Sequence, residues 1–394
     1  MDKHKTNVAL LAVCQGLLLT NNSVLITINA LAGYLLAPDK GLATLPITSY
    51  FVGSALTTLP VSLLMKQWGR RAGFTLGAVC AIVGSILCAV ALYAHNFWML
   101  CAGTAVLGVY FAAGQYYRFA AADAAPAAFR SKAISLVLAG GILGGFLGPQ
   151  TSKLTKDLVL DHVYAGAYLS LVVFALLAIL VLRWLEIPRL TVAEQKTAGR
   201  PLIEIARQPA FVVAVLCGMI GYGVMNLLMT ATPLAMIACQ HPFSDAAFVI
   251  QWHLVGMFAP SFFTGALIQR YGVTRVILAG VVLILVCVFI ALSGVAVANF
   301  WLALTLLGIG WNFMYVGATT LLTEAHRPAE RAKAQGINDT AIFLTMVASS
   351  LSSGALFTYQ GWQTMNYLAI PFLVIAGIAA LGLGWLRRRS PAPT

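Results

Sequence analysis

Charge is what this chain has least of. Only 9% of its 394 residues are Asp, Glu, Lys or Arg, and its 12 acids face 24 basic residues. A soluble globular domain carries roughly 25% charged residues, so a surface exposed to water on all sides is excluded. Cysteine is sparse as well. The thiols at 14, 80, 88, 101, 217, 239 and 287 all fall in apolar segments and none forms a C-x-x-C pair. That spacing indicates neither a disulfide framework nor a zinc site, and packed core cysteines are the plain reading. There is no Walker phosphate loop, so ATP-driven transport would need another subunit. No histidine–carboxylate cluster suggests metalloenzyme chemistry, and an enzyme is not expected. The first apolar run lacks a short h-region with a small-residue cleavage site and reads as a span, not a removed signal.

Apolar residues fill the space that charge leaves. They make up 60% of the chain, with a mean hydropathy of +0.88. Runs of about 20 apolar residues are long enough to cross a bilayer as helices. They predict twelve spans: 8–36, 44–65, 72–94, 97–120, 132–152, 163–185, 209–238, 244–268, 275–297, 299–323, 334–358 and 363–386. Lys66, Arg70, Arg71, Arg130, Lys132, Arg270, Arg275, Arg327, Arg331 and Lys333 fall in alternate loops, on the same side as Lys3, Lys5 and Arg387 to Arg389. The opposite loops hold only Lys40, Lys153 and Lys156. By the positive-inside rule both termini are cytoplasmic. The membrane therefore accounts for the net charge of +12, and a nucleic-acid partner is not expected.

The two halves repeat. Asn96 to Trp98 recurs as Asn299 to Trp301 at an offset of 203, which also carries Gly69 onto Gly272. Asp123, Arg130 and Lys132 match Glu324, Arg331 and Lys333 at an offset of 201. This predicts an N-terminal six-helix bundle over 1–186, a polar cytoplasmic linker over 187–208, and a C-terminal six-helix bundle over 209–394.

The stretch "SLLMKQWGRR" (62–71) and its second copy "GALIQRYG" (265–272) resemble the signature loop of the major facilitator superfamily, Gly-x-Leu-x-Asp-Arg-x-Gly-Arg-Arg. Gly69, Arg70, Arg71, Gly265, Arg270 and Gly272 fit it. Ser62 and Lys66 replace the usual glycine and aspartate, and Gln269 replaces the second aspartate, which removes the acids on which that loop's gating contacts depend. The resemblance covers the whole chain. It implies an all-α membrane protein of the major facilitator fold, working by alternating access at a site between its halves near mid-membrane. Small residues in "GGILGGFLGP" (140–149) allow close helix packing, as gating or as plain contact, and Pro149 is expected to kink or end span five.

Two pairs of residues stand out within spans seven and eight. Met225 and Met229 are four apart, as are His253 and Met257, so each pair shares one helical face. Two thioethers and an imidazole form a soft donor set suited to Cu(I), and an empty site of this kind buries no carboxylate. The plainer account is that methionine fills core gaps, and that His253 donates a hydrogen bond to an organic substrate or relays protons.

Those paired motifs resemble the CcoA-type bacterial copper importers. That resemblance implies a carrier in the bacterial inner membrane that imports copper for cytochrome oxidase assembly, with Met225, Met229, His253 and Met257 as metal ligands and Cys217 and Cys239 as accessory thiols. Gly221, four after Cys217, offers no second thiol there. The stretches "QYYRFAAAD" (115–123) and "SDAAFVIQWHLVGMFAPSFFTG" (244–265) equally resemble the RfnT-type riboflavin transporters. On that alternative a flavin stacks on Tyr116, Tyr117, Tyr222, Trp252, Trp311 or Tyr315, with Asn22, Gln115 and Asn312 at its polar edges; such aromatics are also ordinary core residues. Copper is the first expectation and riboflavin the alternative, with no permanently bound cofactor, the lipid bilayer as surroundings and a monomer as the working form. Arg118, Asp123 and Asp339 are gating or coupling candidates, and a salt bridge between Arg118 and Asp123 is expected.

Overall fold

The computed structural model describes residues 3–38, 42, 45–159, 162–187 and 200–389, and the regular structure among them is helical throughout. Helix is what a hydrocarbon environment demands, because each backbone N–H and C=O must find its partner within the segment. The first half contains α1 (Lys3–Leu36), α2 (Leu45–Trp68), α3 (Arg70–Tyr93) and α4 (Phe97–Gly114), which resumes after a break as α5 (Tyr117–Ala124). It continues with α6 (Arg130–Ala139), α7 (Ile142–Thr155) and α8 (Ala165–Leu182). After the short α9 (Leu202–Ala206) come α10 (Pro209–Ala238), α11 (Phe243–Phe258), α12 (Ser261–Tyr271), α13 (Val273–Ser293), α14 (Val297–Glu324) and α15 (Arg331–Arg389). Gly361, at φ 77°, divides α15 into two helices end to end.

Each of the twelve expected spans falls on helix. Among the described residues ten stretches are long and apolar enough to cross a membrane, and Phe248–Phe258 is a shorter apolar helix. Most of the expected linker, 188–199, lies outside the described residues; α9 occupies its end.

Two compact units emerge, and they differ from the sequence-order bundles in two segments. The first holds Met1–Ala127, Leu136–Gly199 and Pro328–Leu344; the second holds Ala128–Ser135, Arg200–Arg327 and Thr345–Thr394. In the first unit α4 packs against α2 and α3, while α1 packs against α7 and α8. In the second α14 is central, touching α10, α11 and α13.

Glycine explains two local features. Gly69 and Gly272, equivalent in the repeat, both take positive φ (90° and 87°), which lets the chain turn between consecutive helices without a Cβ penalty. In the 140–149 stretch a Cβ on Gly144 would lie 2.5 Å from the Leu19 backbone, and one on Gly140 or Gly148 would collide with Ala12 or Ser23. The stripe is a packing seam against α1. The interruption of span five sits at Gly140–Gly141, between α6 and α7; Pro149 lies inside α7 and does not end it.

Candidate functional site

The second unit carries the histidine. His253 sits on α11 with no solvent exposure, and its Nδ1 lies 2.8 Å from the Leu304 carbonyl oxygen on α14. Gly308 makes that contact possible. A Cβ there would stand 2.5 Å from the His253 oxygen and 2.8 Å from the Met257 nitrogen, so only glycine lets the two helices approach this closely. The Nε2 atom of His253 has no hydrogen-bond partner among the described residues.

Six residues beyond His253 the helix breaks at Ala259–Pro260, because proline supplies no backbone N–H. Asn312 of α14 secures the break. Its Nδ2 donates to the Met257 carbonyl (2.7 Å) and to Ser261 Oγ (2.5 Å), and its Oδ1 accepts from Thr264 Oγ1 at 2.7 Å. The amide is satisfied within the protein, so Asn312 is not free to meet a ligand edge as expected.

An aromatic cluster adjoins Asn312 in sequence and structure. The Trp311 and Tyr315 rings stack at 4.9 Å, and Tyr222 of α10 sets its edge against both, at 5.1 and 4.9 Å. Phe258 closes on Trp311 at 6.1 Å. Trp311 is 1% exposed, yet its indole N–H has no hydrogen-bond acceptor among the described residues. Of the six rings expected to stack on a flavin, three thus converge. Trp252 is instead 38% exposed beside Phe248 and Trp301. Tyr116 and Tyr117 are buried in the first unit, where Tyr116 donates to the Thr58 carbonyl and Tyr117 packs on Phe74. Asn22 accepts from Tyr50, and Gln115 accepts from Arg118.

The methionines do lie on shared faces, within α10 and α11. Met225 and Met257 are buried and Met229 is half-buried. Next to Met225, Asn226 donates to the Met346 carbonyl and Ser349 Oγ of α15. The histidine, by contrast, is fastened to α14. Cys217 is buried with Sγ 4.0 Å from the Ala376 carbonyl, Gly221 faces the Met314 side chain, and Cys239 is half-buried just past the end of α10. No group of three or more His, Cys, Asp or Glu residues that could hold a metal occurs among the described residues.

Charge gathers in the first unit. Arg118 and Asp339, each 2% exposed, pair at 2.5 Å; Asn338 donates to the same carboxylate, and Gln115 accepts from the guanidinium. Asp123 accepts from Arg70 (2.9 Å) and Arg331 (3.0 Å), while Arg70 also donates to Gln335 at 2.6 Å. The expected Arg118–Asp123 bridge is therefore replaced by two others. Residues five apart on α5 project about 140° apart, whereas i,i+3 and i,i+4 neighbours face each other. Gln335 carries no mark in the sequence, because no local signal joins it to a residue 265 positions away.

In the signature loops, Arg70 is buried in this ionic web, and Arg270 lies over the Tyr271 ring at 5.3 Å. Arg71 is exposed and Lys66 half-buried. Gln269, standing where an acid is usual, donates to the Ala128 carbonyl. Gly265 lets α12 meet the start of α6: Ser131 Oγ donates to its carbonyl, and Ser135 Oγ accepts from its N–H.

A helical membrane chain with a duplicated signature loop and buried polar groups is a carrier by architecture. The Major Facilitator Superfamily model matches residues 9–251 and 214–394, and the chain belongs to that family. It is a secondary transporter, not an enzyme. Among known relatives it is similar to the riboflavin transporter RfnT of Brucella anthropi, with 41% identity over 375 residues and 94% of each chain covered. It also resembles the uncharacterised MFS-type transporter YddS of Bacillus subtilis, 26% identical over 86% of this chain and 82% of that one. Its fold matches the proton:xylose symporter XylE with a TM-score of 0.78 at 16% identity, covering 94% of both chains.

Proposed function

We propose that this chain imports riboflavin across the bacterial inner membrane by alternating access. The observation that carries this reading is the 41% identity, over 94% of both chains, to a protein named as a riboflavin transporter. It reverses the order of the two expectations from sequence, since neither RfnT, YddS nor XylE is named as a copper carrier. The Tyr222–Trp311–Tyr315 cluster supports it chemically: stacked and edge-on aromatic rings suit a flat tricycle, and the unpaired indole N–H suits a ring acceptor. In this reading both termini and the 187–208 linker are cytoplasmic, the protein acts as a monomer without a resident cofactor, and the Arg118–Asp339 pair is the coupling element.

Copper remains the second reading for one reason. The bare Nε2 of His253, with Met257 one turn away, is a soft-donor arrangement. Uptake of radiolabelled riboflavin and of radioactive copper, in cells with and without the chain, separates the two. Flavin accumulation that falls about tenfold in Trp311→Phe, at equal abundance, is the expected result. Copper accumulation without flavin, lost in Met225→Leu and Met229→Leu, would replace this reading with the copper one.

A further inference from the structure

We propose that His253 reads the substrate as a hydrogen-bond acceptor, its Nε2 receiving the ring imide N–H of the flavin; this rests on the riboflavin reading above. The tautomer decides the matter. Leu304 offers a carbonyl oxygen, which can only accept, so the hydrogen of a neutral ring sits on Nδ1. Nε2 is then a bare lone pair, held in direction by the bond on the far side of the ring. A charged ring would present a donor there, but it would need a counter-charge. The acid on α11 is Asp245, eight residues earlier, and that on α14 is Glu324, which pairs with Arg387.

A fully buried acceptor without a donor carries an uncompensated desolvation cost, which a ligand N–H would offset. The flavin ring presents one N–H, between two carbonyl oxygens. Its ribityl chain presents hydroxyls with no fixed direction, and a polyol needs several polar partners at once. One turn to either side of His253, α11 offers Val249 and Met257. These neighbours on its own helix are apolar, which suits a ring edge better than a polyol. The side chain thus plays the opposite part to the hydrogen-bond donor role that the sequence offered as an alternative to metal ligation. Gly308 belongs to the same device, since it sets the approach of α14 that fixes the tautomer.

The test is competition against labelled riboflavin uptake in vesicles from cells without another flavin carrier. Unlabelled riboflavin is compared with 3-methylriboflavin, whose imide hydrogen is replaced. The wild-type chain should favour riboflavin by about tenfold or more, as sites built around a substrate N–H do. His253→Ala removes both the acceptor and the bulk that a methyl group would strike. It should weaken riboflavin uptake about tenfold and abolish the distinction between the competitors, while His253→Gln, which keeps an acceptor, recovers part of it. Equal competition by the two compounds in a wild type that does take up riboflavin would overturn the acceptor role, and needs no variant to fold. So would discrimination that survives in His253→Ala. A wild type that moves no flavin removes the functional reading itself, and this role with it.

Discussion

Two positions that the repeat makes equivalent have diverged. Asp123 is partly buried and bridges Arg70 and Arg331, its side chain 15% exposed, whereas its counterpart Glu324 reaches an exposed Arg387 at 2.6 Å. The contrast extends to their surroundings. The first unit fastens its interior partly with full charges, through Arg70, Arg118, Asp123, Asp339 and Arg331, beside neutral bonds such as that of Tyr116 to the Thr58 carbonyl. The second does so with neutral groups: Asn312 on a carbonyl, Ser131 and Ser135 on Gly265, and His253 on Leu304. The equivalent turns at Gly69 and Gly272 keep one backbone conformation, while the chemistry at the equivalent acids has diverged. Full charges respond to protons and to membrane potential; neutral donors and acceptors suit recognition of an uncharged ring.

Breaking the charged side should have the largest effect. Removing one member of a buried ion pair leaves the other uncompensated, at about 3–5 kcal/mol. Arg118→Met or Asp339→Leu alone should sharply lower thermal stability in detergent and abolish uptake. The double variant should regain most of the stability without regaining transport. A double variant as unstable as either single one would mean the pair is not the cause. Next in size is a direct contrast between the equivalent acids. Asp123→Asn leaves Arg70 and Arg331 sharing a neutral partner and should destabilise by about 2 kcal/mol. Glu324→Gln loses an exposed pair worth about 0–1 kcal/mol. Equal melting shifts for the two would dissolve the contrast between the charged and neutral units.

The neutral side is sharpened by glycine. Gly308→Ala forces a methyl group into the α11–α14 contact and should cost about 1–3 kcal/mol, with a larger loss in riboflavin uptake than in abundance. A Cβ on Gly382, in α15, would meet nothing within 4 Å, so Gly382→Ala should be neutral or slightly stabilising, by up to about 1 kcal/mol. Melting curves and uptake measured on both variants together check the pair.

What is legible in the sequence follows from periodicity. Apolar runs locate the spans, the repeated Gly69 and Gly272 mark two turns of matching conformation, and the 140–149 glycines mark a seam. What stays hidden depends on which helix a face meets. The four-residue spacing puts His253 and Met257 on one side of α11, but nothing local says that this side lies on α14 at Gly308, or that Leu304 fixes the tautomer. For the same reason Asp339 cannot be matched to Arg118 across 221 residues, and the nearer Asp123 looks the better partner. The metal reading comes from the donor set alone, without the backbone that holds one of the donors.

The exchange of 128–135 and 328–344 between the compact units bears on how the gene could have evolved. A duplicated ancestor begins as two interchangeable copies, each able in principle to survive alone. Once Arg118 takes its counter-charge from Asp339, a first-half polypeptide made by itself is deprived of that acid. The second half, made by itself, exposes the length of chain that should have supplied it. From that point separating the two copies carries a cost, since it leaves a buried charge without its partner.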